Sequence, residues 1–109
     1  MTVKELANVM ALQEFCLPEP GRRVSGGYVG DLLSWVMGRA KAGDAWLTIM
    51  SNQNVAAVAL MTDAACVVLT EGVVPDEALL RRAQQQGINL LGTKRSSFET
   101  AAALRKLLT

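Results

Sequence analysis

The succession of apolar and polar segments along the chain predicts strands that alternate with helices. The clearest stretch begins with the apolar run Val67–Leu69 and continues through a polar turn at Gly72. A helix is expected next, with Pro75 as its first residue, acidic residues in its first turn and Gly87 just past its end. A second apolar strand, at 88–93, follows directly. A strand buried on both faces and followed by such a helix is half of a β-α-β unit.

The same patterning predicts the other elements. Helices are expected at 2–12, 30–41, 55–61 and 97–108, and strands at 15–17, 23–29, 45–50 and 65–69. The segment Val55–Met61 is apolar on all sides, and it is interpreted as a buried helix because parallel strands need a crossover. Ser96 and Glu99 have the spacing of a capping box before the last helix. From residue 23 onwards strands and helices alternate, so we expect an α/β protein: one three-layer domain over 1–109, with a mainly parallel central sheet and helices on both faces.

Composition narrows the class of protein. The chain has 109 residues, of which 50% are hydrophobic but only 5% aromatic, and its net charge is +1. This charge gives no electrostatic footprint for nucleic acid. The longest apolar run, Val55–Met61, is far below the ~20 residues of a membrane span, and no signal peptide is apparent. Cys16 and Cys66 each stand within an apolar stretch, which favours reduced core cysteines over a disulfide or metal pair. We therefore expect a cytoplasmic protein.

Candidate ligand contacts lie in the turns that follow the strands. In a parallel sheet these turns meet at one edge, where ligands of such folds bind. The turns considered are 27–31, 51–54, 70–74 and 93–97. The residues predicted to bind a ligand are Ser51, Asn52, Gln53, Asn54, Thr70, Glu71, Gly72 and Thr93.

Several of these turns allow two interpretations. The turn 51–54 opens a helix, so its polar groups either bind an anion or simply cap that helix through Ser51 or Asn52. Gly72 is expected to supply an unusual backbone angle, and the acids of the following helix make a phosphate less favourable at 70–72 than at 51–54. The pair Lys94-Arg95 either holds an anion or is a solvated basic pair. The stretch 25–30 is either a degraded dinucleotide-binding fingerprint or a set of turn glycines.

The chain lacks the residues that several classes of enzyme reaction require. The chain has no histidine, which excludes Ser-His and Cys-His nucleophile pairs and histidine metal sites. It has no P-loop motif and no pair of acids placed for acid/base catalysis. We expect no catalytic residue, no metal site and no cofactor. A small enzyme that uses Ser51, Thr70 or Glu71 is the weakest hypothesis, since no activating base is visible.

Two stretches resemble a known family. The segment 45–91 is similar to a DRTGG domain, in the order strand, turn, apolar helix, strand, Thr-x-Gly turn, Pro-Asp-led helix and strand. The segment 28–38 resembles stand-alone members of that family, which are often labelled serine kinases. Ser51–Asn54 stands where the family has its Gly-Asp-Arg segment, and Thr70–Gly72 stands where it has Thr-Gly-Gly.

The resemblance implies a regulatory module. Such domains accompany phosphotransacetylases and nucleotide-regulated inorganic pyrophosphatases, and they resemble the amino-terminal domain of HPr kinase, whose P-loop kinase domain is separate. The leading hypothesis is a non-enzymatic regulatory or ligand-sensing domain that binds a small anionic or nucleotide-like ligand, such as a nucleotide or phosphorylated metabolite, at the carboxyl edge of the sheet. The alternative is an interaction subunit that docks on a metabolic enzyme and binds no small molecule. The helix 55–61 has no polar face, and Trp35 falls beside the main apolar stripe of its own helix; both features predict a homodimer with one or both of these helices near its centre.

Overall fold

The computed structural model describes residues 1–109, which form five strands and five helices. The strands are β1 (Gln13–Cys16), β2 (Gly26–Val29), β3 (Asp44–Thr48), β4 (Cys66–Leu69) and β5 (Leu90–Gly92). The helices are α1 (Val3–Val9), α2 (Leu33–Arg39), α3 (Asn54–Thr62), α4 (Glu77–Gln86) and α5 (Ser97–Leu108). Every predicted element is present, although most are shorter than the apolar pattern suggested.

The strands form one sheet in the order β1-β5-β4-β3-β2. The four strands from β2 to β5 are parallel, and β1 joins the edge of the sheet antiparallel to β5. The mainly parallel sheet predicted from the alternation of elements is therefore confirmed. The inner strands β3 and β4 are buried along their whole length, which explains why they are apolar without a period of two.

Helices cover both faces of the sheet and create two apolar clusters. One cluster joins α1 and α5 to one face, which includes Leu47 and Val68. The other joins α2, α3 and α4 to the opposite face, which includes Trp46 and Val67. Neighbouring residues of a strand thus contribute to opposite clusters, as side chains of a pleated strand must. The three-layer α/β architecture is confirmed.

The start of α4 differs from the prediction. Pro75 lies outside the helix, and Asp76, with an extended backbone (φ −61°, ψ 154°), is the N-cap residue. The backbone N–H of Asp76 donates to the carbonyl of Ser51 at 3.0 Å, so a tertiary contact fixes this helix start. At the other end Gly87 adopts φ +72°, as expected for a glycine that ends a helix.

The capping prediction at α5 is confirmed in part. The Ser96 hydroxyl accepts a hydrogen bond from the backbone N–H of Glu99 at 3.1 Å. The Glu99 carboxylate, however, accepts from the Ser96 hydroxyl rather than from its backbone N–H. The full reciprocal box lies at α1, between Thr2 and Glu5. There the hydrogen bond from the Thr2 backbone N–H, and to a smaller extent that from the Thr2 hydroxyl, lowers the pKa of the Glu5 carboxyl.

Both cysteines are free thiols, and their environments differ. Cys66 is fully buried in β4, and burial raises the pKa of its thiol to about 12. Cys16, at the end of β1, is only partly buried, and burial raises the pKa of its thiol as well. None of the helices has the length and apolar character needed to cross a membrane.

Candidate functional site at the carboxyl edge of the sheet

The turns that follow β3, β4 and β5 lie side by side, joined by backbone hydrogen bonds. Thr70 N–H donates to the carbonyl of Thr48 at 3.1 Å, and Gly72 N–H donates to the carbonyl of Thr93 at 2.9 Å. Glu71 N–H donates to the carbonyl of Arg95 at 2.8 Å. The structure therefore brings the predicted turns to one edge, as the common direction of the parallel strands requires.

The turn after β4 is tied to the start of α5. Glu71 and Gly72 both have positive φ angles, +62° and +76°, which confirms the expected unusual backbone at Gly72. The Glu71 carboxylate accepts a hydrogen bond from the backbone N–H of Ser97 at 2.8 Å. The buried Thr70 hydroxyl lies 2.6 Å from the Ser97 hydroxyl. Glu71 thus supplies the negative charge that the positive end of α5 favours.

The turn after β3 makes mainly structural contacts. The Asn52 side chain accepts a hydrogen bond from the N–H of Asn54 at 2.9 Å, which supports the capping interpretation at this residue. The Ser51 hydroxyl donates to the carboxylate of Asp76 at 3.2 Å. Gln53 is the N-cap residue of α3 by position, but its side chain makes no capping hydrogen bond. The amide side chains of Gln53 and Asn54 are exposed at this edge.

The turn after β5 lines a cavity of about 340 Å³. Its wall combines this turn with the end of α1 and the start of β1: Met10, Ala11, Gln13, Gly92, Thr93, Lys94 and Arg95. The Thr93 hydroxyl accepts from the N–H of Arg95 at 3.2 Å. Lys94 and Arg95 are exposed, and neither belongs to any of the three ion pairs of the molecule. Among the eight predicted contact residues, only Thr93 lines a cavity.

Asp31 lies in one of the turns considered, but it was not among the predicted ligand contacts. Asp31, after β2, accepts hydrogen bonds from the Thr48 hydroxyl at 2.8 Å and from Ile49 N–H at 3.0 Å. It connects the first turn to the second, and the signal for it was an acid two residues after the strand predicted at 23–29. Both interpretations of 25–30, the dinucleotide-binding fingerprint and the turn glycines, are wrong, because most of that stretch, including Gly26 and Gly27, lies in strand β2.

The acidic and hydroxyl side chains of this edge are mostly engaged by partners within the chain. No group of three or more His, Cys, Asp or Glu side chains is placed to hold a metal ion. The carboxylates of Glu71 and Asp76 are engaged by Ser97 and Ser51. Thr70 has a second hydroxyl, not a base, as its side-chain partner. What remains is a polar edge with a cavity beside two unpaired cations.

Comparison with known proteins identifies the family. The DRTGG domain family model matches residues 30–107, while no curated protein matches the chain. Among solved structures, the CBS and DRTGG domains of the regulatory region of Clostridium perfringens pyrophosphatase, complexed with the activator diadenosine tetraphosphate, have a TM-score of 0.72. That match is 14% identical in sequence and covers 93% of this chain but 44% of the neighbour. It shows the shared fold. Since the family model matches well over half of the sequence, the chain belongs to the DRTGG domain family.

Proposed function

We propose that this chain is a non-enzymatic regulatory domain that senses a small anionic or nucleotide-like ligand at the carboxyl edge of the sheet. The observation that carries the proposal is the cavity bounded by Thr93, Lys94 and Arg95. Its two cations have no carboxylate partner within the chain, so a ligand that supplies negative charge gains their attraction without breaking an ion pair.

The size of the cavity and the fold of the domain support this class of ligand. A volume of about 340 Å³ lies near the lower end of the ~300–1,000 Å³ typical of ligand pockets. This space suits a phosphate group with part of a nucleoside. The regulatory region of the pyrophosphatase, which shares the fold, is complexed with a nucleotide activator. We extend that ligand class, but not its binding geometry, to this chain.

The other predicted residues are proposed to frame this site. Glu71 places a carboxylate at the start of α5, which repels a phosphate from that helix end and favours its position beside Lys94 and Arg95. The exposed amides of Gln53 and Asn54 are proposed as contacts for a ligand that extends along the edge. Ser51, Asn52, Thr70 and Gly72 shape the turns that present these groups.

Thermal unfolding with diadenosine tetraphosphate, ATP and inorganic phosphate tests the proposal. A ligand present at 100 times its Kd should stabilise the wild type by about 2.7 kcal/mol. The double variant Lys94→Ala/Arg95→Ala should lose most of this gain. Arg82→Ala, which removes an exposed arginine from α4, is the matched control and should retain it. The proposal fails if none of the three probes stabilises the wild type, or if the double variant responds as the wild type does.

A second candidate function rests on exposed apolar side chains. Trp35 on α2 is 55% exposed, and on α3 Leu60 and Met61 are 52% and 70% exposed. Because α2 and α3 pack against each other, these side chains favour an interface across both helices. We propose that this surface forms a homodimer, and that the domain acts in the cytoplasm. If no small ligand binds, the same surface is the candidate for docking on a metabolic enzyme.

A further inference from the structure

Strand β2 leaves one side of the sheet open. It is the last strand of the order and pairs only with β3. Gly30 N–H, just after β2, donates to the carbonyl of Leu47 at 3.1 Å. In a parallel strand the backbone N–H and C=O groups of every second residue face the neighbouring strand. Since Gly30 faces β3, the backbone groups of Gly27 and Val29 point away from β3. Each residue has one donor and one acceptor, which gives the open side about four hydrogen-bonding groups.

Nothing in β2 protects this open side. Edge strands are commonly guarded by lysine, proline or an inward-pointing charge. The stretch Ser25–Gly30 contains no charged residue and no proline. The preceding segment is already paired, since Thr2 forms an antiparallel bridge with Arg23 and Val24 N–H donates to the carbonyl of Met1 at 2.9 Å. That pairing stops before β2 begins.

A groove lies on each face of β2, and the two glycines of the strand let neighbouring side chains pack closely against its backbone. A Cβ atom at Gly27 would come within 2.7 Å of a methyl group of Leu104, and one at Gly26 within 2.7 Å of the Asp44 carboxylate. The α5-side groove has a volume of about 230 Å³ and is walled by Ala101, Leu104, Arg105 and Leu108. The α2-side groove has a volume of about 440 Å³ and is walled by Arg39, Lys41, Ala42 and Asp44.

The two grooves differ in chemistry. The α5-side groove is lined by apolar side chains of α5 together with Arg105. The α2-side groove contains two cations, Arg39 and Lys41, against one carboxylate. That carboxylate, on Asp44, is 7% exposed and accepts a hydrogen bond from the Lys41 backbone N–H at 2.8 Å. None of the three cations belongs to an ion pair, so the open edge carries unbalanced positive charge.

We propose that the open side of β2 takes up an extended acidic segment of another protein as a sixth strand. Side chains of a strand alternate between its faces. Acidic side chains of the segment would enter the α2-side groove beside Arg39 and Lys41, and apolar side chains would enter the α5-side groove against Leu104. Backbone pairing supplies affinity in this mode of recognition, and the alternate grooves supply specificity. A second copy fits less well, because two-fold pairing of β2 brings like charges together. This surface is separate from the cavity at Thr93 and does not depend on a ligand there.

Two synthetic peptides of about eight residues test this on the full chain: one alternates valine with glutamate and the other valine with lysine. The valine–glutamate peptide should bind in a calorimetric titration and shift the NMR signals of the Gly27 and Val29 amides. The double variant Arg39→Glu/Lys41→Glu should bind it about tenfold or more weakly, while Arg82→Glu should bind as the wild type does. Val29→Pro should also lose binding, because it removes an outward N–H and leaves the β2–β3 ladder intact.

Other outcomes overturn the proposal. Equal binding of the valine–lysine peptide would show that charge does not select the partner. No binding of the valine–glutamate peptide, or amide shifts confined to residues outside β2, would exclude the groove as its site. Shifts at Gly27 and Val29 that grow with protein concentration, without peptide, would identify a second copy as the occupant. If Val29→Pro does not fold, the charge variant and its control decide the question.

Discussion

Asn89 provides a quantitative test of how the sheet is held to the segment between β1 and β2. This residue lies just before β5 and is 2% exposed. Its side-chain oxygen accepts from Glu19 N–H at 2.9 Å, and its amide donates to the carbonyls of Glu19 at 2.7 Å and Ala65 at 3.0 Å. One side chain thereby satisfies three backbone groups that are distant in sequence.

Replacing Asn89 with alanine removes all of these hydrogen bonds. At about 1 kcal/mol each, the free energy of unfolding should fall by about 3 kcal/mol, from a total of about 5–15 kcal/mol for a domain. In a domain of this size the midpoint temperature of thermal unfolding falls by about 4 °C or more for each kcal/mol of lost stability, so it should fall by about 12 °C or more. Chemical and thermal denaturation measure both quantities.

Asn52→Ala is the matched control for this substitution. It removes the same side chain, but the asparagine is only half-buried and accepts one local hydrogen bond, from Asn54 N–H. A loss of about 1 kcal/mol or less is expected there. If Asn89→Ala costs no more than Asn52→Ala, the buried amide does not hold the Glu19 segment to the sheet, and the reasoning is refuted.

Three further predictions concern catalysis, the buried thiol and self-association. Incubation with ATP, magnesium and protein acceptors should leave ATP intact, since no P-loop and no activating base is present; steady ATP consumption that Glu71→Gln abolishes would contradict the proposal of a non-enzymatic domain. The folded-state pKa of the Cys66 thiol is raised from 9.0 to about 12, so the thiol of the unfolded chain loses its proton at a lower pH. The contribution of the buried thiol to the free energy of unfolding is therefore fully present below pH 9. It falls by about 1.4 kcal/mol per pH unit between pH 9 and 12. Wild type should therefore lose stability faster than Cys66→Ala over that range, and equal slopes would show that the thiol is not buried. Sedimentation at micromolar concentration should show a dimer, which Met61→Glu should dissociate because Met61 is 70% exposed on α3; a wild-type monomer of about 11.7 kDa would refute the dimer.

The sequence by itself determined the order of elements and the direction of most of the sheet. Alternating strands and helices dictate parallel pairing, since each helix must return the chain to the same end of the sheet. Local signals placed Gly87 at the end of α4 and Ser96 at the start of α5. These features depend on residues within a few positions of each other, and they were predictable for that reason.

Only the tertiary structure decided which residues form the candidate site. β1 pairs antiparallel with β5, with Gln13 opposite Gly92, and this pairing of residues far apart in sequence brings the end of α1 beside Thr93 to create the cavity. Asp76 was expected inside α4, but its N–H bonds to Ser51 and makes it the cap. Six of the seven candidate residues outside the cavity have polar side chains, and several of these side chains make hydrogen bonds within the turns. Local patterns cannot distinguish these roles, because a polar side chain at a turn satisfies either a ligand or the backbone, and the choice depends on partners supplied by distant segments.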